Sequence, residues 1–134
     1  MKIANKAWLA LLLASLLLAP ASAYMGKQLA RGPVDPFTLT DQSGESYTFG
    51  TDTEGVAVVT FMFTRCPDVC PVLTQKLVEV EAEMTQEERE DVTFLSISVD
   101  PEYDSPEALK EYSERMGASW PHLTGSAEEL DCVF

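Results

Sequence analysis

The run Val56 to Phe63, VAVVTFMF, limits the possible folds more than any other stretch of the chain. It is a continuous block of apolar, β-branched and aromatic residues with no polar alternation. Such a block predicts a strand buried on both faces, as in a parallel sheet. A second run of the same kind spans Val92 to Val99. Between them Pro71 suits a helix start, and Leu73, Leu77, Val80 and Met84 recur at helical spacing with Glu and Lys in the gaps. Strand, helix, strand is a βαβ unit, whose strands should be parallel neighbours with a right-handed crossover. Upstream, Phe37 to Thr40 and Ser46 to Phe49 alternate apolar and polar around the turn residues Asp41-Gln42-Ser43-Gly44, which predicts a hairpin. Downstream, Ser105-Pro106 opens a helix with Leu109, Tyr112 and Met116 on its inner stripe and Gly117 as its stop. Trp120 to Leu123 reads as a short strand, and Ser126 to Glu129 fits a capping box. The class is α/β. The helix after Ser126 has barely begun at Phe134, so the chain reads as a truncated domain.

The first residues carry an address. Lys2 and Lys6 precede an apolar run from Ala7 to Ala19, Pro20 breaks it, and Ala21-Ser22-Ala23 has the form of a signal-peptidase site. Residues 1–23 therefore read as a signal peptide. The competing reading is an uncleaved anchor that tethers the chain to a membrane, since no charge falls between Lys6 and Lys27. A spanning helix needs about 20 predominantly apolar residues, more than this run supplies. Both readings predict an exported chain, periplasmic or on the outer face of the cytoplasmic membrane. Residues 24–36, with Gly32, Pro33 and Pro36, read as a linker, and 37–134 as one incomplete domain. The net charge is −13 and falls further when Lys2 and Lys6 leave with the leader. That surface repels nucleic acid and anionic lipid. It suits a basic partner or simply solubility, with the acids from Glu79 to Asp91 as a solvated face and loop.

The chemistry concentrates in Thr64-Arg65-Cys66-Pro67-Asp68-Val69-Cys70-Pro71, where the first buried-type strand hands over to the helix. Three cysteines make one pair and one remainder, Cys132. A helix-like turn sets residues i and i+4 on one face, so the Cys66 and Cys70 sulfurs point to one spot. The helix N-terminus and the adjacent Arg65 both favour thiolate. In an oxidising compartment such a dithiol is a disulfide, is kept reduced by a donor, or holds metal. Two thiolates suit Cu(I), whereas structural zinc and iron–sulfur clusters want four ligands. His122 and Cys132 are the other candidate ligands. His122 reads as a surface or structural residue. Cys132 reads as a small apolar residue facing the core, with a reactive thiol or a surrogate copper ligand as alternatives. Asp68 reads as a first-turn acid that complements the helix dipole or tunes a partner contact. Asp100 and Asp104 shape the loop near the thiols, or Asp100 and Ser105 simply make pre-proline turns.

The Thr64–Pro71 motif, with Asp68 inside it, resembles the copper-binding loop of the Sco/SenC proteins. Four other stretches agree: Phe37 to Gly44, Val56 to Phe63, Ser98 to Pro106 with its Asp-Pro pair, and Trp120 to Gly125. The likeness covers about residues 34–130. It implies a thioredoxin-like fold, a central β-sheet flanked by helices with an N-terminal β-hairpin, whose C-terminal part is missing here. It implies an exported metallochaperone that holds copper, Cu(I) or Cu(II), and helps deliver it to the CuA centre of cytochrome c oxidase. The implied partners are subunit II of that oxidase, or a similar acceptor, and a thiol reductant. Family members bind copper through the two motif cysteines and a later histidine. On this chain that carries over to Cys66 and Cys70 alone, because His122 does not match the family histidine. The chain alone is accordingly expected to be marginally stable and to hold copper less well than a full family member. The alternative is a thiol–disulfide oxidoreductase, with Cys66 and Cys70 catalytic, that keeps CuA-site cysteines reduced. Its spacing differs from the Cys-x-x-Cys of ordinary thioredoxins. The plainest reading is an inert exported domain with a structural disulfide.

Overall fold

The computed structural model describes residues 33–133. The predicted signal peptide and most of the predicted linker lie outside them. From Pro33 to Phe37 the chain has no regular structure. The elements that follow are β1 (Thr38–Asp41), β2 (Ser46–Thr48), β3 (Val56–Met62), α1 (Val69–Glu83), α2 (Gln86–Glu90), β4 (Val92–Ser98), α3 (Pro106–Met116), β5 (His122–Thr124) and α4 (Ala127–Asp131).

The predicted hairpin forms because Asp41 organises its turn. Its Oδ1 accepts from the N–H of Ser43 at 2.7 Å and of Glu45 at 3.0 Å, and Gly44 takes the left-handed conformation at φ 82°. Phe37 and Phe49 stack across the open end with centroids 5.0 Å apart. The predicted βαβ unit is also present. β3 and β4 pair in parallel from Val56 opposite Val92 to Met62 opposite Ser98. β5 joins β4 in parallel and β1 antiparallel, giving the order β2-β1-β5-β4-β3.

Two strand expectations diverge. β4 is enclosed on both faces from Phe94 to Ser98, as its composition predicts. β3 is not: it ends the sheet among the described residues, and Val56, Val59 and Phe61 are exposed. Val59 and Phe61 instead line an apolar groove with Val34, Phe37, Phe49, Ile97 and Val133. Composition marks both runs as strand but does not say which lies inside the sheet.

The helices show a similar split. α3 follows its prediction: the Ser105 hydroxyl accepts from the Ala108 N–H, Pro106 opens the helix, Leu109 and Tyr112 are buried, and Gly117 ends it at φ 70°. α1 keeps half of its predicted stripe: Leu77 and Met84, with Val78, pack against the Phe94–Trp120 cluster, whereas Leu73 and Val80 are exposed and Cys70 and Thr74 are buried. The acidic stretch read as a face and loop contains α2, nucleated by a capping box between Thr85 and Glu88.

The sheet has two unlike sides. Leu39, Tyr47, Leu95, Ile97, Leu123 and Leu130 form one apolar cluster. On the other side Met62, Cys70, Leu109 and Tyr112 cluster under the thiol loop, and Phe94, Ala118 and Trp120 cluster farther along. Here β4 turns serines toward its neighbours: Ser96 Oγ accepts from Trp120 Nε1 at 2.9 Å, and Ser98 Oγ donates to Asp104 at 2.6 Å.

Candidate functional site

The loop between β3 and α1 is built from its two ends. At the β3 end, the Cys66 N–H closes a tight turn onto the Phe63 carbonyl at 3.1 Å. Thr64 is held there by Asp104: its N–H lies 3.1 Å from both carboxylate oxygens and its hydroxyl donates to Oδ1 at 2.5 Å. At the other end α1 begins at Val69 with Asp68 as its cap residue, yet the Asp68 carboxylate makes no capping bond. The Cys66 sulfur takes that place and accepts from the Cys70 N–H at 3.4 Å. Pro71 is the third helical residue, where its missing N–H is one the helix leaves unpaired in any case. Asp68 therefore does not act through a capping bond, and the helix start is turned toward a sulfur.

Both thiols are free, with Cys66 half-buried and Cys70 buried. Their acidities diverge. The Cys66 thiol is held below its ordinary value, first by the hydrogen bond from the Cys70 thiol and then by the backbone N–H groups of Asp68, Cys70 and Val69. The Cys70 thiol is pushed up, first by burial and then by the bond to Cys66, which Cys70 can make only while it keeps its proton. Of the two, Cys66 is thus the more acidic thiol and the first to carry negative charge as pH rises. The helix N-terminus contributes as the sequence suggests. Arg65 does not: its guanidinium lies 2.9 Å from Asp100 and 3.3 Å from the Tyr103 ring centroid, and its charge is spent there.

Below the loop, the Thr74 hydroxyl donates to the Cys70 carbonyl at 2.9 Å and pairs with the Tyr112 hydroxyl at 2.9 Å. Sequence reasoning gave neither Thr74 nor Tyr112 a part here. The available signal was helical spacing, since Thr74 lies four residues after Cys70 and must share its stripe.

The other candidate ligands lie apart from the thiol pair. His122 is structural, as one of its two readings has it, and is not at the surface. It is 0% exposed, its Nδ1–H donates to the Trp120 carbonyl at 2.9 Å, and its Nε2 has no partner among the described residues. Burial holds it below the ordinary histidine range, so the ring is neutral. Cys132 does not face the core: it is exposed as the C-terminal cap residue of α4, with its sulfur 3.4 Å from the Glu128 carbonyl. Among the described residues no three His, Cys, Asp or Glu side chains converge as a metal cluster, and no helix is long and apolar enough to cross a membrane.

Residues 27–134 match the family model described as SCO1/SenC. The human protein described as "Protein SCO1 homolog, mitochondrial" is 38% identical over 111 residues, covering 82% of this chain and 36% of its own. The solved Bradyrhizobium japonicum ScoI with copper bound superposes with a TM-score of 0.69 at 33% identity, over 76% of this chain and 64% of that one. BsSco, described in terms of a disulfide switch and as a member of the Sco family of cytochrome c oxidase assembly proteins, superposes with a TM-score of 0.62 at 31% identity, over 78% and 64%. The first curated relatives are matched over only 36% and 47% of their own length. The five-stranded sheet flanked by helices is thus the thioredoxin-like fold of these relatives, and the chain belongs to the SCO1/SenC family.

Proposed function

We propose that this chain is an exported copper-binding protein of cytochrome c oxidase assembly, in which Cys66 and Cys70 together hold Cu(I) for passage to a copper acceptor such as the CuA centre of subunit II. The observation that carries the reading is the adjoining thiol pair: the Cys66 sulfur sits at the start of α1 and accepts from the Cys70 N–H at 3.4 Å. Two adjoining sulfurs, one already inclined to thiolate, are a soft donor set that fits Cu(I). Cu(II), which prefers nitrogen and oxygen donors in a tetragonal set, is served less well. Copper is the cargo; the chain supplies a turn that presents the sulfurs together, a half-buried outer sulfur open to exchange, and a buried inner one. Loading releases protons from the thiols, so it strengthens as pH rises. The relatives described with copper bound and as oxidase assembly proteins support the reading. The apolar leader at residues 1–23 supports export, as a cleaved signal or as a tether.

The test is a titration of the reduced full chain with Cu(I) against a competing chelator. Wild type and His122→Asn should bind, while Cys66→Ser and Cys70→Ser should lose binding. Undiminished binding by Cys66→Ser overturns the proposal.

A second reading, a thiol–disulfide oxidoreductase acting on the acceptor's cysteines, is favoured by the divergence of the two thiols. The Cys66 thiolate would attack a partner disulfide, and Cys70 would then attack the mixed disulfide and release the partner's thiol. Reduction of an oxidised acceptor by the dithiol, lost in either serine variant, is its test.

A further inference from the structure

We propose that Asp104 is a positioning residue for the thiol loop: its buried carboxylate fixes Thr64, and through Thr64 sets the place of the Cys66 sulfur relative to Cys70. The inference rests on reading Cys66 and Cys70 as the working thiols, and it adds a residue forty positions from Thr64 to their machinery.

Asp104 is 0% exposed, an unusual place for a carboxylate. Its partners lie on two separate pieces of the molecule. Toward the loop it accepts from the Thr64 N–H and hydroxyl. Toward the sheet it accepts from Ser98 Oγ at 2.6 Å, and that same serine oxygen accepts from the Asp100 N–H at 3.0 Å. The carboxylate therefore ties the residue two before Cys66 to the end of the enclosed strand β4. Its own backbone is fixed as well, since the Asp104 N–H bonds to the Asp100 carbonyl at 2.9 Å and the next residue caps α3.

The arrangement bears on the sulfur through a short, rigid path. Thr64, anchored on Asp104, lies inside the Phe63–Cys66 turn itself. Cys66 Sγ reaches the Cys70 N–H only if that turn enters α1 at the observed angle. Releasing Thr64 lets the turn shift, and the sulfur leaves the helix start while Cys70 stays anchored by the Thr74–Tyr112 pair. A group that orients a thiol without touching it changes what the thiol binds, as the partners behind metal ligands do, by about ten- to a hundredfold.

The experiment compares the reduced full chain with Asp104→Asn, Thr64→Val, Thr64→Ser and, as a destabilised control from the opposite core cluster, Leu39→Val. Two quantities are read under conditions where circular dichroism shows each variant folded. The first is Cu(I) affinity by chelator competition. The second, free of metal, is the disulfide equilibrium with glutathione, in which Cys66 and Cys70 give two electrons and two protons to glutathione disulfide and two glutathione thiols leave. Asp104→Asn and Thr64→Val should each lower Cu(I) affinity by about tenfold and shift the glutathione equilibrium. Thr64→Ser, which keeps the hydroxyl, should restore both, and Leu39→Val should change neither. If Asp104→Asn does not fold, the Thr64 pair carries the test, because Ser keeps the hydroxyl bond to Asp104 that Val loses, while the backbone N–H contact stays in both. Wild-type values for both quantities in Thr64→Val overturn the proposal, as do losses of the same size in Leu39→Val, which would mark a general effect of stability. If wild type takes up no Cu(I), the copper reading fails, and the glutathione equilibrium still decides whether Asp104 positions the thiols.

Discussion

The hydroxyl pair under Cys70 makes a prediction in which a second mutation repairs part of the damage done by the first. Thr74 is 5% exposed and Tyr112 is 1% exposed. The Thr74 hydroxyl spends its proton on the Cys70 carbonyl, so the Tyr112 hydroxyl must donate to Thr74. Tyr112→Phe removes that donor and leaves Thr74 still bonded through its own proton, which costs about 1 kcal/mol, the net worth of one hydrogen bond. Thr74→Val removes the acceptor and strands the Tyr112 hydroxyl in a closed apolar cluster, at a cost of about 2 kcal/mol for an unsatisfied buried donor. The double variant replaces both hydroxyls by apolar groups of similar shape and strands nothing from Tyr112. It should be more stable than Thr74→Val by about 1 kcal/mol. Equilibrium unfolding in urea, followed by the fluorescence of buried Trp120, reads this directly. With a slope of about 1.5 kcal/mol/M, the repair appears as a midpoint about 0.7 M higher than that of Thr74→Val. A double variant that loses the sum of the two single losses would refute the reasoning, because it would mean the hydroxyls do not depend on each other.

The remaining predictions concern the thiols and the buried histidine. In a Cys132→Ser background, limiting iodoacetamide should modify Cys66 before Cys70, because Cys66 is the more exposed and the more acidic; peptide mass spectrometry giving the reverse order would contradict the assigned directions. His122 is held neutral by burial, so the unfolded chain takes up its proton first as pH falls. Its contribution to stability is whole above the ordinary histidine value of about 6.5 and declines below it, by at most about 1.4 kcal/mol per pH unit. His122→Asn keeps a donor for the Trp120 carbonyl but cannot titrate. Its urea midpoint should therefore fall less steeply than that of wild type below about pH 6.5, and identical slopes would remove the histidine from the account.

The parts of the fold legible in the sequence are those set by neighbours in the chain. The Asp41–Gly44 turn, the Ser105-Pro106 and Ser126 helix starts and the Gly117 stop each depend on a few adjacent residues, and each forms where the residues say it should. The β3–β4 pairing is legible as well, because two apolar runs joined by one helix have few other ways to bury themselves. Less legible was anything decided by partners far along the chain. Leu73 and Val80 suggest one face for α1, but Tyr112 and the cluster under the loop select the face carrying Cys70 and Thr74. His122 is enclosed because β5 sits inside the sheet, and Cys132 is exposed because α4 packs through Leu130 instead; neither residue type announces this. At the thiol loop the motif marks the two sulfurs and the Asp-Pro segment offers Asp104 as a residue that shapes the loop, but nothing in the sequence names Thr64 as its partner.

The unlike sides of the sheet also bear on how freely this sequence can drift. On the side of Leu39, Leu95, Ile97 and Leu123, cohesion comes chiefly from volume, the Tyr47 hydroxyl with its bonds to Asp52 and Thr53 excepted, and isosteric exchanges among Leu, Ile, Val and Met should pass with small losses. On the side of Ser96, Ser98, Asp104 and Thr74, cohesion runs through directional bonds whose members have no isosteric substitutes. Variation should therefore accumulate on the oily side and stall on the bonded one. A library randomised at both would display that imbalance as a map of which half of the core tolerates rewriting.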